Sequence, residues 1–185
     1  MMNMKILLSL TVATAGVMLA FMSPADAALK VVEDVDLERY QGRWYEIARL
    51  PNRFQNHCVS NVSANYRLRE DGRIDVINRC RREDGSWSEA TGMARRARAD
   101  GPDGALEVRF APRWLSFLPF VWGDYRILAL DENYEHVLVG SEDRRYLWVL
   151  ARSADLPEAV LEDLLTRARE QGFDTDGLIR TRHED

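Results

Sequence analysis

The chain has 185 residues, 30 Asp and Glu against 25 Lys and Arg, a net charge of −5 and two cysteines. That length suits one domain with a real core. Intermixed acids and bases with an acidic balance exclude a general nucleic-acid binder, which needs a basic face; the densest basic cluster, Arg95, Arg96 and Arg98, reads as a solvated strand end.

Met1 to Lys5 is a short basic start, and Ile6 to Met22 is apolar apart from scattered Ser and Thr. Ser23-Pro24 and the small-residue site Ala25-Asp26-Ala27 follow. This is the pattern of a secretory signal peptide over 1–27, cleaved between Ala27 and Ala28, with a single domain over 28–185. The apolar run is short for a membrane span, and no basic stop-transfer cluster follows it. No cysteine lies near the cleavage site to accept a lipid anchor. The expectation is a soluble exported protein, periplasmic and at most peripheral at the outer membrane. An even pair of cysteines in an exported chain, Cys58 and Cys80, reads as a disulfide, with two free buried thiols as the alternative.

The body then runs as short apolar-alternating stretches separated by turn signals. Strands are predicted at Trp44–Leu50, Val59–Leu68, Ile74–Cys80, Trp87–Ala97, Leu106–Phe110, Trp122–Leu130, Tyr134–Gly140 and Tyr146–Leu150. Asp71-Gly72 and Asp84-Gly85 are hairpin signals, and Asp100 to Gly104 is a further turn. Eight sequential strands with short links predict an all-β fold, an eight-stranded up-and-down antiparallel β-barrel whose closure removes its edges. Asp34 with Asp36, ahead of the barrel, reads as solvated surface. Asp155 with Glu158 predicts a capping box, with Pro157 in the first turn and Gly172 at the end of one helix. Its stripe of Leu156, Val160, Leu161, Leu164, Leu165 and Ala168 predicts packing against the outside of the barrel. A short tail strand is expected near Leu178 to Thr181.

Gly42-Arg43-Trp44-Tyr45 opens the first strand, preceded by Tyr40 and followed by Glu46-Ile47-Ala48-Arg49. Asp131-Glu132-Asn133-Tyr134 lies between strands six and seven, and Tyr146 to Arg152 ends strand eight. In that order the set resembles the lipocalin family, and within it the bacterial lipocalins associated with the outer membrane, from about Val35 to Ile179. The resemblance implies a barrel closed at one end that carries a lipid or other apolar ligand. It implies too that Trp44, two residues after Gly42, plugs the closed end with Arg152 over its indole face, a favourable cation–π pair. Two departures stand out: many bacterial relatives carry a lipobox cysteine, and their Thr-Asp-Tyr motif is matched here only loosely by Asp131 and Tyr134.

If the chain enters the first strand at the closed end, links after odd strands form the open end: Pro51 to Cys58, Arg81 to Ser86, Ala111 to Val121 and Ser141 to Arg145. Strand alternation sorts the lining. With Trp44 inward, Glu46 and Ala48 follow. The candidate ligand contacts are Tyr66, Val76, Asn78 and Met93 from strands two to four, and Val108, Phe110, Tyr125 and Ile127 from strands five and six. Val139, Tyr146 and Trp148 complete the wall, and Val62, Ala64, Leu106, Val137 and Leu150 share its parity. Such a lining, with Tyr66, Tyr125, Tyr146 and Asn78 as polar handles, is the profile of a lipid pocket. Trp114-Leu115-Ser116-Phe117-Leu118-Pro119-Phe120-Val121-Trp122 is too apolar for an ordinary solvated loop. Trp114 and Phe117 are therefore counted with the ligand contacts, and the segment is read as a lid or a patch that touches a membrane or a partner, with local packing onto the barrel rim as the alternative.

His57, His136 and His183 lack metal-ligand spacing, and no nucleophile elbow, phosphate loop or dinucleotide fingerprint is present. The reading is a non-enzymatic carrier of a lysophospholipid or fatty acid, without metal or cofactor, in lipid transport or cell-envelope maintenance. The alternatives are an enzyme of the same fold using Cys80 as a cavity thiol, and a tetrapyrrole carrier. Oligomeric state is open, a homodimer included.

Overall fold

The computed structural model describes residues 27–184, without the side chain of Arg113. Most of the expected signal peptide lies outside the described residues. Eight strands form the barrel: β1 (Gly42–Arg49), β2 (Ser60–Leu68), β3 (Ile74–Arg81), β4 (Trp87–Arg96), β5 (Ala105–Arg109), β6 (Gly123–Leu130), β7 (His136–Gly140) and β8 (Leu147–Ala151). Each pairs antiparallel with the next, and β1 pairs with both β2 and β8, which closes the barrel. Gly72 and Gly85 occupy the left-handed region that the Asp-Gly turns require, at φ 74° and 77°. β7 begins two residues later than alternation suggests. The Asp131 carboxylate accepts the backbone N–H groups of Asn133, Glu135 and His136, and Tyr134 is held at φ 63°, so this stretch is a capped loop.

Two helices complete the chain. α1 (Leu37–Tyr40) is one turn across the entrance to β1, capped by the Asp36 carboxylate, which accepts from the Glu38 and Arg39 N–H groups. Asp36 is therefore a capping residue and not merely solvated surface. α2 (Glu158–Glu170) lies on the outer wall as expected, but the capping box does not form: Pro157 stands at the N-cap with no side-chain cap. A proline disfavours helical geometry in the residue before it, which delays the start past Asp155. Glu158 is ion-paired with Arg180 instead.

The core has two parts. Inside the barrel, Tyr40, Trp44, Tyr66, Val76, Leu106, Ile127 and Val139 belong to one cluster. Between wall and helix, Leu138, Leu147, Val149, Leu161, Leu164 and Phe173 belong to another. Val137 and Val139 face in while Leu138 faces α2, so β7 is apolar on both faces. The tail adds β9 (Ile179–Arg180) to the end of β1, and Arg182 bridges to Ser60. β1 and β2 are paired only over Gly42–Tyr45, so the tail fills the seam where they diverge. Cys58 and Cys80 form a disulfide that ties the link before β2 to β3. The loop of about 23 residues that it closes stabilises the fold by about 3 kcal/mol in the chain-entropy model.

Candidate functional site: the barrel lumen

α1 and the start of β1 build the floor. The Trp44 indole is fully buried, its Nε1–H donates to the Tyr40 carbonyl at 2.9 Å, and the Arg152 guanidinium lies 4.0 Å from its ring centroid. Arg152 is held there by the carbonyls of Arg39, Arg43 and Tyr134, so the cation has acceptors as well as a π face. Above Trp44 stand three tyrosines. The Tyr40 and Tyr125 hydroxyls are 2.7 Å apart, and those of Tyr66 and Tyr125 are 2.9 Å apart. Burial raises the pKa of all three phenols, that of Tyr66 to about 12. They are neutral donors at any physiological pH.

β1 breaks its own alternation. A register shift between Glu46 and Ala48 places Glu46 opposite Leu150 of the inner cluster but Ala48 opposite Val149 of the outer one. The expectation that Ala48 faces the lumen is thus corrected by a β-bulge, which shifts side-chain parity by one. Arg49, opposite Trp148, takes the inward place. Its Nη1–H donates to Glu46 Oε1 at 2.8 Å, and both side chains are buried. Gln55 donates to Glu46 Oε2 and accepts from Trp148 Nε1, and the Thr181 hydroxyl donates to Glu46 Oε1. The lumen wall therefore holds a buried ion pair that alternation did not reveal. Arg49 Nε and Asn78 Oδ1 are buried there without hydrogen-bond partners among the described residues.

The thirteen candidate contacts separate into four groups. Val76, Ile127 and Val139 are fully packed core, with Tyr66 tied into the tyrosine trio. Asn78, Val108, Tyr125, Tyr146 and Trp148 are on the inner face and keep partial exposure. Phe110 is also inward: a Cβ on Gly92 would come within 2.7 Å of its ring. Met93 is corrected. It lies opposite Asp75 and Arg109 on the outer face, because the inward row of β4 is Ala90, Gly92 and Ala94. Trp114 and Phe117 point to solvent, 73% and 75% exposed, and with Phe120 at 79% form an apolar tip beside the mouth. Trp122, from the same segment, packs on the outer wall between Arg95 (3.9 Å) and Arg109 (5.3 Å), and its Nε1–H donates to the Ser116 carbonyl. The tip is thus anchored at its base. Phe54, which strand reasoning missed because it sits in a link, packs on Tyr146, whose ring stacks on Trp148.

The disulfide leaves no free thiol, so the cavity-thiol enzyme loses its nucleophile. His57 lies close to both sulfurs, but disulfide sulfurs are not thiolate ligands. A depression of about 490 Å³ at the rim, lined by Asn56, His57, Val59, Arg82, Glu83 and Asp84, is open and charged. It does not suit an apolar molecule. Among the described residues no helix is long and apolar enough to cross a membrane.

The family model for the lipocalin-like domain matches residues 35–183. The chain belongs to the lipocalin family. It is 38% identical to the outer membrane lipoprotein Blc of Escherichia coli, over 95% of this chain and 96% of that one. It is also 38% identical to temperature-induced lipocalin-1 of Arabidopsis thaliana, over 85% and 84% of the two chains. Among solved structures, insecticyanin from Manduca sexta superposes with a TM-score of 0.65 at 19% identity, covering 86% of each chain, a likeness of fold alone. Membership and geometry agree: this lipocalin is an eight-stranded closed barrel with one helix outside, of a family that binds small hydrophobic ligands.

Proposed function

We propose that this lipocalin binds a lysophospholipid or a long-chain fatty acid in the barrel lumen and carries or stores it in the cell envelope. The observation that carries the reading is the contrast along the barrel axis. The floor is sealed by Trp44, whereas Phe110, Tyr146 and Trp148 remain partly exposed on the inner face toward the open end. An apolar lumen open at one end leaves hydrophobic area in water, which an acyl chain would cover. A phosphate or carboxylate head group would meet the Arg49 guanidinium, whose Nε has no partner. Location in the periplasm, peripheral to the outer membrane, accords with the name of the Blc relatives. Trp114, Phe117 and Phe120 supply the means of touching a bilayer, where aromatic rings favour the interface. Ligand passage between bilayer and lumen would cross this tip.

Native mass spectrometry of the protein purified from its own host tests the reading. The expected adduct is a lipid bearing one acyl chain. A tetrapyrrole adduct, visible as colour, would replace the proposal with a pigment carrier.

A further inference from the structure

Three phenols, Tyr40, Tyr66 and Tyr125, share two hydrogen bonds, both centred on the Tyr125 oxygen. Three O–H groups can donate and only two contacts exist, so one proton is left over. Its place follows from burial. Tyr40 and Tyr66 are 2% and 7% exposed, and among the described residues their hydroxyls have no other acceptor. A buried donor left unsatisfied is costly, so both donate to Tyr125. Tyr125 accepts twice, and its own O–H is the spare one. As a whole residue Tyr125 also keeps more exposure than the other two, on the inward face of β6 opposite Leu106, although burial raises its phenol as it does theirs. Accepting two hydrogen bonds polarises that O–H and makes it a stronger donor.

We infer that the lumen is built for an apolar molecule with a neutral oxygen acceptor, such as a carbonyl or ether, on the end that enters first, and that Tyr125 donates to it. This rests on the carrier reading above and narrows its ligand class to single-chain lipids that carry an oxygen near the end of the chain remote from the head group. The surroundings decide for a neutral acceptor. Leu106, Ile127, Val137 and Val139 around the trio are almost fully buried. A carboxylate there would be desolvated with a single neutral donor for company, whereas a ketone needs only one hydrogen bond. A plain hydrocarbon end would leave the Tyr125 proton unpaired.

The test compares 15-oxohexadecanoic acid with hexadecanoic acid, which differ only by an oxygen near the buried end. Dissociation constants are measured for wild type, Tyr125→Phe and Tyr40→Phe, and each variant is read as its ratio between the two ligands, so a general change in pocket shape cancels. Wild type should favour the keto acid by about fivefold or more relative to Tyr125→Phe, the scale of one hydrogen bond. Tyr40→Phe should keep the wild-type direction, because Tyr125 retains its lumen-facing proton. The infrared stretch of a carbonyl labelled at C15 gives a second readout that does not need the Tyr125 variant to fold: bound to wild type, it should lie below the value of the same ketone in a hydrocarbon solvent. Equal ratios in wild type and Tyr125→Phe, or a carbonyl at its hydrocarbon-solvent value, would overturn the inference and leave the carrier reading standing. Failure of both ligands to bind would overturn both.

Discussion

Trp44 and Trp114 are the same side chain in opposite circumstances. Trp44 has no exposed area, a satisfied indole N–H and a guanidinium on its face, while Trp114 is 73% exposed at the tip of a link. The contrast extends to their surroundings. At the floor, aromatic rings and hydroxyls are packed on one another, with Tyr40 against both Trp44 and Tyr66. At the mouth, Phe54, Phe110, Phe117 and Phe120 are left open, and Arg49 Nε and Asn78 Oδ1 lack partners. The floor holds the fold together and keeps one hydroxyl proton over, whereas the mouth keeps apolar area and further polar groups in reserve for something outside the chain.

Truncating each tryptophan should separate the two ends most sharply. Trp44→Ala is expected to destabilise by about 3–5 kcal/mol, the range for large aromatics removed from a core. Trp114→Ala should change stability by no more than about 0.5 kcal/mol, as for ordinary surface positions. Denaturant unfolding of both checks this; equal losses would mean that the tip is part of the core.

Alkaline titration probes the floor. Burial holds the Tyr66 phenol at about 12 in the folded state, with Tyr40 and Tyr125 also raised. In the unfolded chain a tyrosine titrates near 10. The folded state therefore binds more protons in this window. The contribution is complete below about pH 10 and is lost as pH rises toward 12, amounting to about 2–3 kcal/mol for Tyr66. Stability measured from pH 9 to 12 should fall, and less steeply in Tyr66→Phe; parallel curves would show that the trio is not sealed.

The smallest effect on stability belongs to the tip. Replacing Phe117 and Phe120 together with Ser should leave unfolding nearly unchanged, yet slow ligand transfer from vesicles more than it weakens binding of monomeric ligand. Equal losses in rate and affinity would assign the rings to the pocket wall.

Much of this contrast is legible in the sequence. Alternation and Asp-Gly turns define eight strands in a closed meander, and the apolar run from Trp114 to Trp122 marks the mouth. What alternation does not carry is local departure from period two. The bulge after Glu46 exchanges Ala48 for Arg49 on the inner face, and nothing in Glu-Ile-Ala-Arg announces it. On β4 Met93 faces out, because the inner row is kept small where the Phe110 ring crosses Gly92. Trp122 is as apolar as its neighbours in the run, and only the two arginines flanking it on the outer wall separate it from the tip. α1 is a single turn, too short to show a helical period, and its role in closing the floor around Trp44 emerges only in three dimensions.

The central claim, that the open half of the barrel is completed by an acyl chain, is tested most directly by a series of fatty acids and lysophospholipids of increasing length, read by thermal shift and tryptophan fluorescence. Each CH₂ moved from water contributes about 0.8 kcal/mol, so affinity should rise about fourfold per carbon until the lumen is full, then level off. Ligand at about 100 times its dissociation constant should stabilise the fold by about 2.7 kcal/mol. A response that is flat across chain lengths would contradict the account.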